Sequence, residues 1–338
     1  MMRIVLDAMG TDARPAPDIA GGVLAAQEYT DTTIVLVGQE DAIRHELDKQ
    51  GVALPKNVEI VHAEEEVQMT DKPSVVVKAK PLSSMHVGMN LVRDGLADAF
   101  VTMGNTGAAH AIATLKTLRR IPGVHRPALT TLYAVNGQDI IFLDIGANAD
   151  VKVEWLEQFA VMGCAYAETA LGKRNPRVAT LCNGEEEGKG NQLTKDAQLR
   201  LQHAKLNYVG HIEPKEILSG KADVVVMDGF VGNIFLKTFE SSISYFASLI
   251  RAEVGKRWLY KLGGLLLRPA FKTLRAKLDT GEVGGAPLLG VNGVVIIGHG
   301  GGDAYAVKNA INQARRAIKG KSLEAIRARF AQTTTTQE

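Results

Sequence analysis

Apolar and polar positions follow two alternating periods along this chain. Short runs rich in β-branched residues, most of them closed by Gly, Asn or Asp, occupy 4–6, 34–37, 58–61, 99–102, 129–134, 140–143, 178–181, 224–227 and 294–297. They read as strands. Segments 18–29, 41–50, 84–94, 106–118, 153–171, 234–253 and 304–319 carry the 3.6-residue spacing of amphipathic helices. Strands alternating with helices of this length predict βαβ units. The expected fold is therefore α/β, a doubly wound, mostly parallel sheet covered on both faces. The runs 129–134 and 140–143, split by Asn136-Gly137, are the exception and read as an antiparallel hairpin. No repeat of 20–50 residues occurs, so 1–332 is expected to form one domain, followed by a polar tail at 333–338 that frays.

In parallel sheets, ligands sit beyond the carboxyl ends of the strands, so the residues just after each run carry the functional information. Here they form six Gly/Asn/Asp clusters: 7–10, 104–107, 144–148, 183–191, 228–233 and 298–302. Any one of them alone is an ordinary turn. Six at one end of a single sheet would be a binding surface. Glycines let backbone N–H groups approach a ligand and helix starts add a positive dipole end, a combination suited to phosphate.

Composition supports a soluble globular chain, with 46% apolar and 22% charged residues. The net charge of +2 conceals an asymmetry. Segment 255–278 holds seven basic residues and no acidic one, while the remainder carries 32 basic against 37 acidic residues, a net of −5. Two cysteines, Cys164 and Cys182, make neither a disulfide framework nor a CxxC pair. No run of 18 or more apolar residues and no leader-like N-terminus are visible, so the expected location is the cytoplasm.

Standard nucleotide signatures are missing. There is no GxGxxG, and the stretch 184–190 (GEEEGKG) is one residue short of a phosphate-binding Walker loop and lacks its Ser/Thr. No serine sits in a GxSxG elbow, and the eight histidines show no metal-ligand spacing. No metal and no cofactor are expected. What remains is an anion site with amide and ammonium donors and no evident protein nucleophile. Phosphate itself as the attacking group would need none; the protein would hold it beside an acyl carbonyl and stabilise the developing oxyanion.

Motifs in register across the chain sharpen this reading. They are DAMG-x-D (7–12), SSM (83–85), GNTGA (104–108), IPG-x-x-RPAL (121–129), DIGAN (144–148), QFA-x-MG (158–163), NPRV (175–178), GEEEGKGN (184–191), DGFVGN (228–233) and GGAPLLG-x-NG (284–293). From about Arg3 to Phe330 the chain resembles the phosphate acyltransferases of bacterial phospholipid synthesis. The resemblance implies an α/β/α sandwich related to isocitrate and isopropylmalate dehydrogenases and to phosphotransacetylases. It implies transfer of an acyl group from acyl-carrier protein to inorganic phosphate, giving an acyl phosphate used by a glycerol-3-phosphate acyltransferase. It also implies a homodimer. Two positions depart from the family pattern: Thr11 stands where the first motif usually has a second Gly, and Asp303 follows the last glycine cluster where a small residue is usual.

Lys189, on its Gly-rich loop, is the leading candidate for a cation that neutralises phosphate or the acyl oxyanion. Asn233, after Gly232 at an expected helix start, is a candidate donor as well as a candidate helix cap. His299 is a candidate donor to phosphate or acid to the leaving thiolate. Asp7, Gly10, Gly104, Asn105, Thr106, Gly107, Asn148, Gly188, Asn191, Asp228 and Gly232 are the expected substrate- and phosphate-binding positions. Asp7 and Asp144 serve equally well as acceptors of local backbone N–H bonds. Cys182 and Cys164 read as packing residues.

The cationic segment reads as an amphipathic helical hairpin inserted at about 235–283, two helices joined around Gly263-Gly264. Trp258, Leu259, Leu262, Leu265 and Leu266 form an apolar tip flanked by Lys256, Arg257, Lys261, Arg268 and Lys272, a composition suited to an anionic bilayer surface. A dimer contact and attraction of the acidic carrier protein are the other uses of the same element. Nucleic acid is not an expected partner. Two competing classes are a decarboxylating dehydrogenase on the related fold and a non-catalytic membrane-associated scaffold.

Overall fold

The computed structural model describes residues 1–135, 137–186, 188–271 and 284–335. Among these residues eleven strands form one sheet: β1 (Met2–Asp7), β2 (Thr32–Gly38), β3 (Val58–His62), β4 (Ala99–Thr102), β5 (Ala128–Val135), β6 (Gln138–Leu143), β7 (Arg177–Leu181), β8 (Asn207–Ile212), β9 (Val224–Val226), β10 (Ala286–Leu289) and β11 (Val294–Ile297). Their order is β3-β2-β1-β4-β11-β10-β5-β6-β9-β7-β8. The helices are α1 (Ala16–Glu28), α2 (Glu40–Lys49), α3 (Pro73–Ala79), α4 (Ser84–Arg93), α5 (Thr106–Ala111), α6 (Val153–Ala170), α7 (Gln192–His203), α8 (Pro214–Leu218), α9 (Gly229–Gly255), α10 (Trp258–Leu266), α11 (Ala304–Lys319) and α12 (Ser322–Thr335).

Strict alternation within the apolar runs explains why both faces are covered. Ile4, Leu6, Ile34 and Leu36 face α1 and α11 on one side, while Val5, Val35, Val37 and Phe100 enter a core on the other. In the second half, Ile141, Leu143, Val224 and Val226 pack under α6, while Ile140, Phe142 and Val225 join the shared core on the opposite face. A period of two in buried strands places successive residues in different layers.

The α/β, mostly parallel class predicted from the periodicity holds, but strand direction changes midway. β10 runs antiparallel to both β11 and β5, and β5 runs antiparallel to β6; every other neighbouring pair is parallel. Three consecutive antiparallel pairings therefore leave β6, β9, β7 and β8 pointing opposite to β1, β2, β4 and β11. The six strand-end clusters do not share one edge, as the sequence suggested. The clusters at 7–10, 104–107 and 298–302 lie at one edge, and those at 144–148, 183–191 and 228–233 at the other. Strand periodicity carries no information on direction, which the short β10, with Pro287 inside it, reverses.

Local differences have equally local causes. The helix expected at 106–118 is α5 followed by a π-turn at Ile112–Lys116. α12 runs through to Thr335, so the polar run after Phe330 is helical; 336–338 lie outside the described residues. Gly263 and Gly264 do not join two helices but lie within α10, and the chain turns at Lys256-Arg257 instead. A Cβ on Gly264 would come 2.7 Å from Val254 Cγ1, so this glycine lets α10 lie against α9. Residues 272–283 of the expected hairpin, with Lys272, fall outside the described residues, as do Asn136 of the β5–β6 turn and Glu187.

Candidate active site

A cleft of about 650 Å³ crosses the sheet face between its two halves. One wall comes from the ends of β4 and β11 (Met103, Thr106, Gly107, His299), the other from β5, the β6 loop and α9 (Leu129, Thr131, Gly146, Asn233, Lys237).

The DIGAN loop owes its shape to Asp144, which is fully buried. Its Oδ1 accepts N–H bonds from Leu129 (3.1 Å), Gly146 (3.0 Å) and Ala147 (2.9 Å); its Oδ2 accepts from Asn148 N (2.6 Å) and Nδ2 (2.8 Å). Burial pushes this carboxyl above its ordinary range, against the pull of those donors. Asp144 thus shapes the loop, and Asn148 is spent on it as well, since its amide also donates to Pro127 O at 2.7 Å.

The DGFVGN motif docks α9 on that loop. Asp228 caps the helix by accepting from Val231 N at 2.8 Å. Gly229 N donates to Asn148 O at 2.7 Å, and a Cβ on Gly232 would stand 2.0 Å from Asp144 O. Only a residue without a side chain permits that approach. Asn233 follows, and its Nδ2 would lie 2.9 Å from a Cβ on Gly146, a residue with φ of 144°. The expected cap role therefore belongs to Asp228, and Asn233 lies inside α9, lining the cleft.

Across the cleft, Asp7 is buried and accepts from Thr102 Oγ1 (2.7 Å) and Met9 N (3.1 Å), while Gly104 N donates to Thr102 Oγ1 (2.9 Å). Burial raises its carboxyl above the usual carboxylate range. Gly10 belongs to the same knot, since a Cβ there would stand 2.8 Å from Met103 N. Asn105 caps α5 by accepting from Ala108 N at 3.0 Å, and its Nδ2 donates to the carbonyls of Gln68, Met69 and Asp71. Thr106 and Gly107 line the cleft with the first-turn amides of α5, which have no intrahelical acceptor. His299 Nδ1 accepts from Gly301 N at 3.1 Å, so the neutral ring carries its proton on Nε2. Of the two unusual positions, Thr11 donates to buried Asp18 through Oγ1 (2.6 Å), and Asp303 caps α11 by accepting from Ala306 N at 2.9 Å.

The cleft thus gathers Thr106, Gly107, Asn233 and His299 from the expected set. Lys189, Gly188 and Asn191 are not on its lining. They follow β7, at the same carboxyl edge as the loops carrying Asp144 and Asn233. Asn191 caps α7 through bonds from Thr194 N and Oγ1, both 2.9 Å. Lys189 is exposed, packs over Gly184, and forms no ion pair among the described residues.

Sequence reasoning missed Thr131 and Tyr305 on the lining and three further polar residues of the cleft. Lys237 and Glu240, paired at 3.0 Å, stand four and seven residues after Asn233, on the same face of α9. His110 stands four residues after Thr106, with its Nε2 buried and without a partner among the described residues. Burial holds His110 below the ordinary imidazole range, with Arg126 adding to the effect. Helical spacing from the two flagged motifs was the available signal for all three.

A mostly parallel sheet with a cleft built from strand-end loops and helix starts defines an α/β architecture. Residues 2–324 match the family described as fatty acid synthesis protein. The phosphate acyltransferase of Pelotomaculum thermopropionicum is 45% identical over 327 residues, covering 97% of this chain and 94% of that protein. The one from Halothermothrix orenii is 44% identical over 94% of this chain and 95% of its own length. Among solved structures, a phosphotransacetylase from Streptococcus pyogenes superposes with a TM-score of 0.60 at 18% identity, covering 96% of this chain and 94% of that one. A branched-chain phosphotransacylase from Enterococcus faecalis gives 0.53 at 14% identity over 94% and 99%. These two show a shared fold. The chain belongs to the phosphate acyltransferase family and is an acyl-transferring enzyme of fatty acid synthesis.

Proposed function

We propose that the chain transfers an acyl group from acyl-carrier protein directly to inorganic phosphate. A phosphate oxygen attacks the thioester carbonyl carbon, the C–S bond breaks, and the proton of hydrogen phosphate passes to the departing thiolate. The products are acyl phosphate and free carrier-protein thiol. The observation that carries this reading is the make-up of the cleft: amides, Asn233, Lys237 and His299 as donors, with no serine or cysteine among its described lining residues. Cys182, next to the loop that carries Lys189, is buried after β7 and, like Cys164, is absent from that lining. Fixed donors aimed at a developing oxyanion are the main source of rate in acyl transfer. Asn233 is assigned that role, with Lys189, on the loop after β7 at the same sheet edge, as the second candidate. His299 Nε2 donates to phosphate or to the leaving sulfur.

Acyl phosphates are reactive mixed anhydrides, so a user such as a glycerol-3-phosphate acyltransferase completes the sequence. The α9–α10 arm supports action at a membrane surface and as a homodimer. Trp258 (72% exposed) and Leu266 (76%) stand at its tip. Among the described residues no helix is long and apolar enough to cross a membrane. Sedimentation velocity is expected to give a two-chain particle; a monomer at micromolar concentration would remove the dimer.

The deciding assay incubates the protein with acyl-carrier-protein thioester and measures free thiol and hydroxylamine-trapped acyl phosphate. Both are expected to appear only when phosphate is present. Thiol release without phosphate, with label left on the protein, would establish an acyl-enzyme instead. Reduction of NAD with a hydroxy acid and divalent metal would revive the dehydrogenase.

A further inference from the structure

Behind the wall of the cleft lies a second, cationic concavity of about 950 Å³. The loop between the π-turn and β5 contributes Arg119, Arg120 and Arg126, and Lys152 joins them from the residue preceding α6. All four are exposed, and Glu154 is the one carboxylate on the described lining. None of the four pairs with a carboxylate among the described residues. By contrast, Arg3, Arg14, Arg44, Arg177, Arg315 and Arg329 are each tied to an acid.

The arrangement is held in place. Arg120 donates to His125 O and closes the loop. Arg126 lies 5.0 Å from the centre of the Trp155 ring, a cation–π contact that fixes its guanidinium. Arg119 adopts φ of 64°, a left-handed conformation that a residue with a side chain holds only at some cost. The concavity also shares a wall with the cleft: Thr114 lines it one turn beyond His110, which lines the cleft. Outside 255–278 the chain is net acidic, so this is a positive island on a negative body.

We propose that this concavity docks an acidic face of the protein that delivers the acyl group, setting the thioester arm at the cleft. The proposal rests on the reading of the donor as a carrier protein. Charge complementarity selects the partner: four cations against one carboxylate in a hollow receive carboxylates on a convex surface. A bilayer is flat, and the apolar residues suited to it lie on α10.

The test measures binding of fluorescently labelled acyl-carrier protein by anisotropy at low salt, using the full-length chain and its Arg119→Glu/Lys152→Glu variant. Both side chains are exposed and free of described partners, and an unchanged melting temperature verifies folding. The variant is expected to bind at least tenfold more weakly, and wild-type affinity to fall as salt rises. In parallel, turnover of a neutral small acyl thioester with phosphate is expected to stay unchanged in the variant. Equal affinity in the two proteins, or no binding by the wild type, would overturn the proposal. So would loss of self-association in the variant, which would assign the hollow to a second copy of the chain, or loss of anionic-vesicle binding with carrier binding intact. Carrier binding that depends on these residues without phosphate-dependent thiol release would leave the docking site standing and remove the proposed reaction.

Discussion

Single residues in this chain divide between those that build loops and those that present groups to the cleft. Asp7, Asn105, Asp144, Asn148, Asn191 and Asp228 spend their polar atoms on backbone and side-chain partners of neighbouring loops. Asn233, His299, Lys237 and His110 face the space between the halves. Asn233→Ala and Lys189→Ala are each expected to lower turnover about 10²–10³-fold with folding intact. Near-normal turnover in either would remove that residue from the chemistry. Asp18 supplies a prediction about stability. Burial pushes its carboxyl up to about 8, although Thr11 donates to it. Between the unfolded value near 3.8 and the folded value, the native protein keeps a proton that the unfolded chain has released. Stability from this group therefore falls as pH rises through that window, and is unaffected below and above it. Buried Asp7, shifted the same way, adds a slope of equal sign. Asp18→Asn should flatten the fall; melting temperatures of both proteins from pH 4 to 9 would show whether it does.

At the scale of elements, the strands were legible because buried alternation has a strong signature, and the motif-bearing helices because their apolar faces repeat. β8, with Gly210 and His211 in a run of six, carries too little apolar signal. The polar α7 buries only Ala197 and Leu201. Six of the candidate positions were legible as turn and cap chemistry, which sequence alone cannot separate from ligand binding. The junction of α9 with the DIGAN loop is where glycine matters most. Gly232→Ala places a methyl group against Asp144 O and is expected to destabilise the fold by about 1–3 kcal/mol. It should also displace Asn233, so thermal denaturation and turnover would both fall. Unchanged values in both would mean that the junction tolerates widening.

Across the whole molecule, the reversal of strand direction was not legible, since each run predicts a strand without saying which way it points. Its effect is that loops 104–107 and 298–302 reach the cleft from one edge and 144–148 and 228–233 from the other, rather than along one rim. The exposed arm is the other large-scale feature. Leu266→Glu is expected to reduce co-sedimentation with anionic liposomes several-fold while leaving carrier-protein binding unchanged. Equal sedimentation of both proteins would remove lipid from the account of the arm.

α9 is both a wall of the cleft and the stem of that arm. It spans 27 residues, a rod of about 40 Å at 1.5 Å per residue. Asn233 and Lys237 ride near its inner end, next to the tight seat at Gly232, while Trp258 and Leu266 lie beyond its outer end. A stiff rod seated at one end behaves as a lever with its fulcrum in the protein. Anything that anchored the outer end would also set the pitch of the inner one, coupling the position of the arm to the alignment of the cleft.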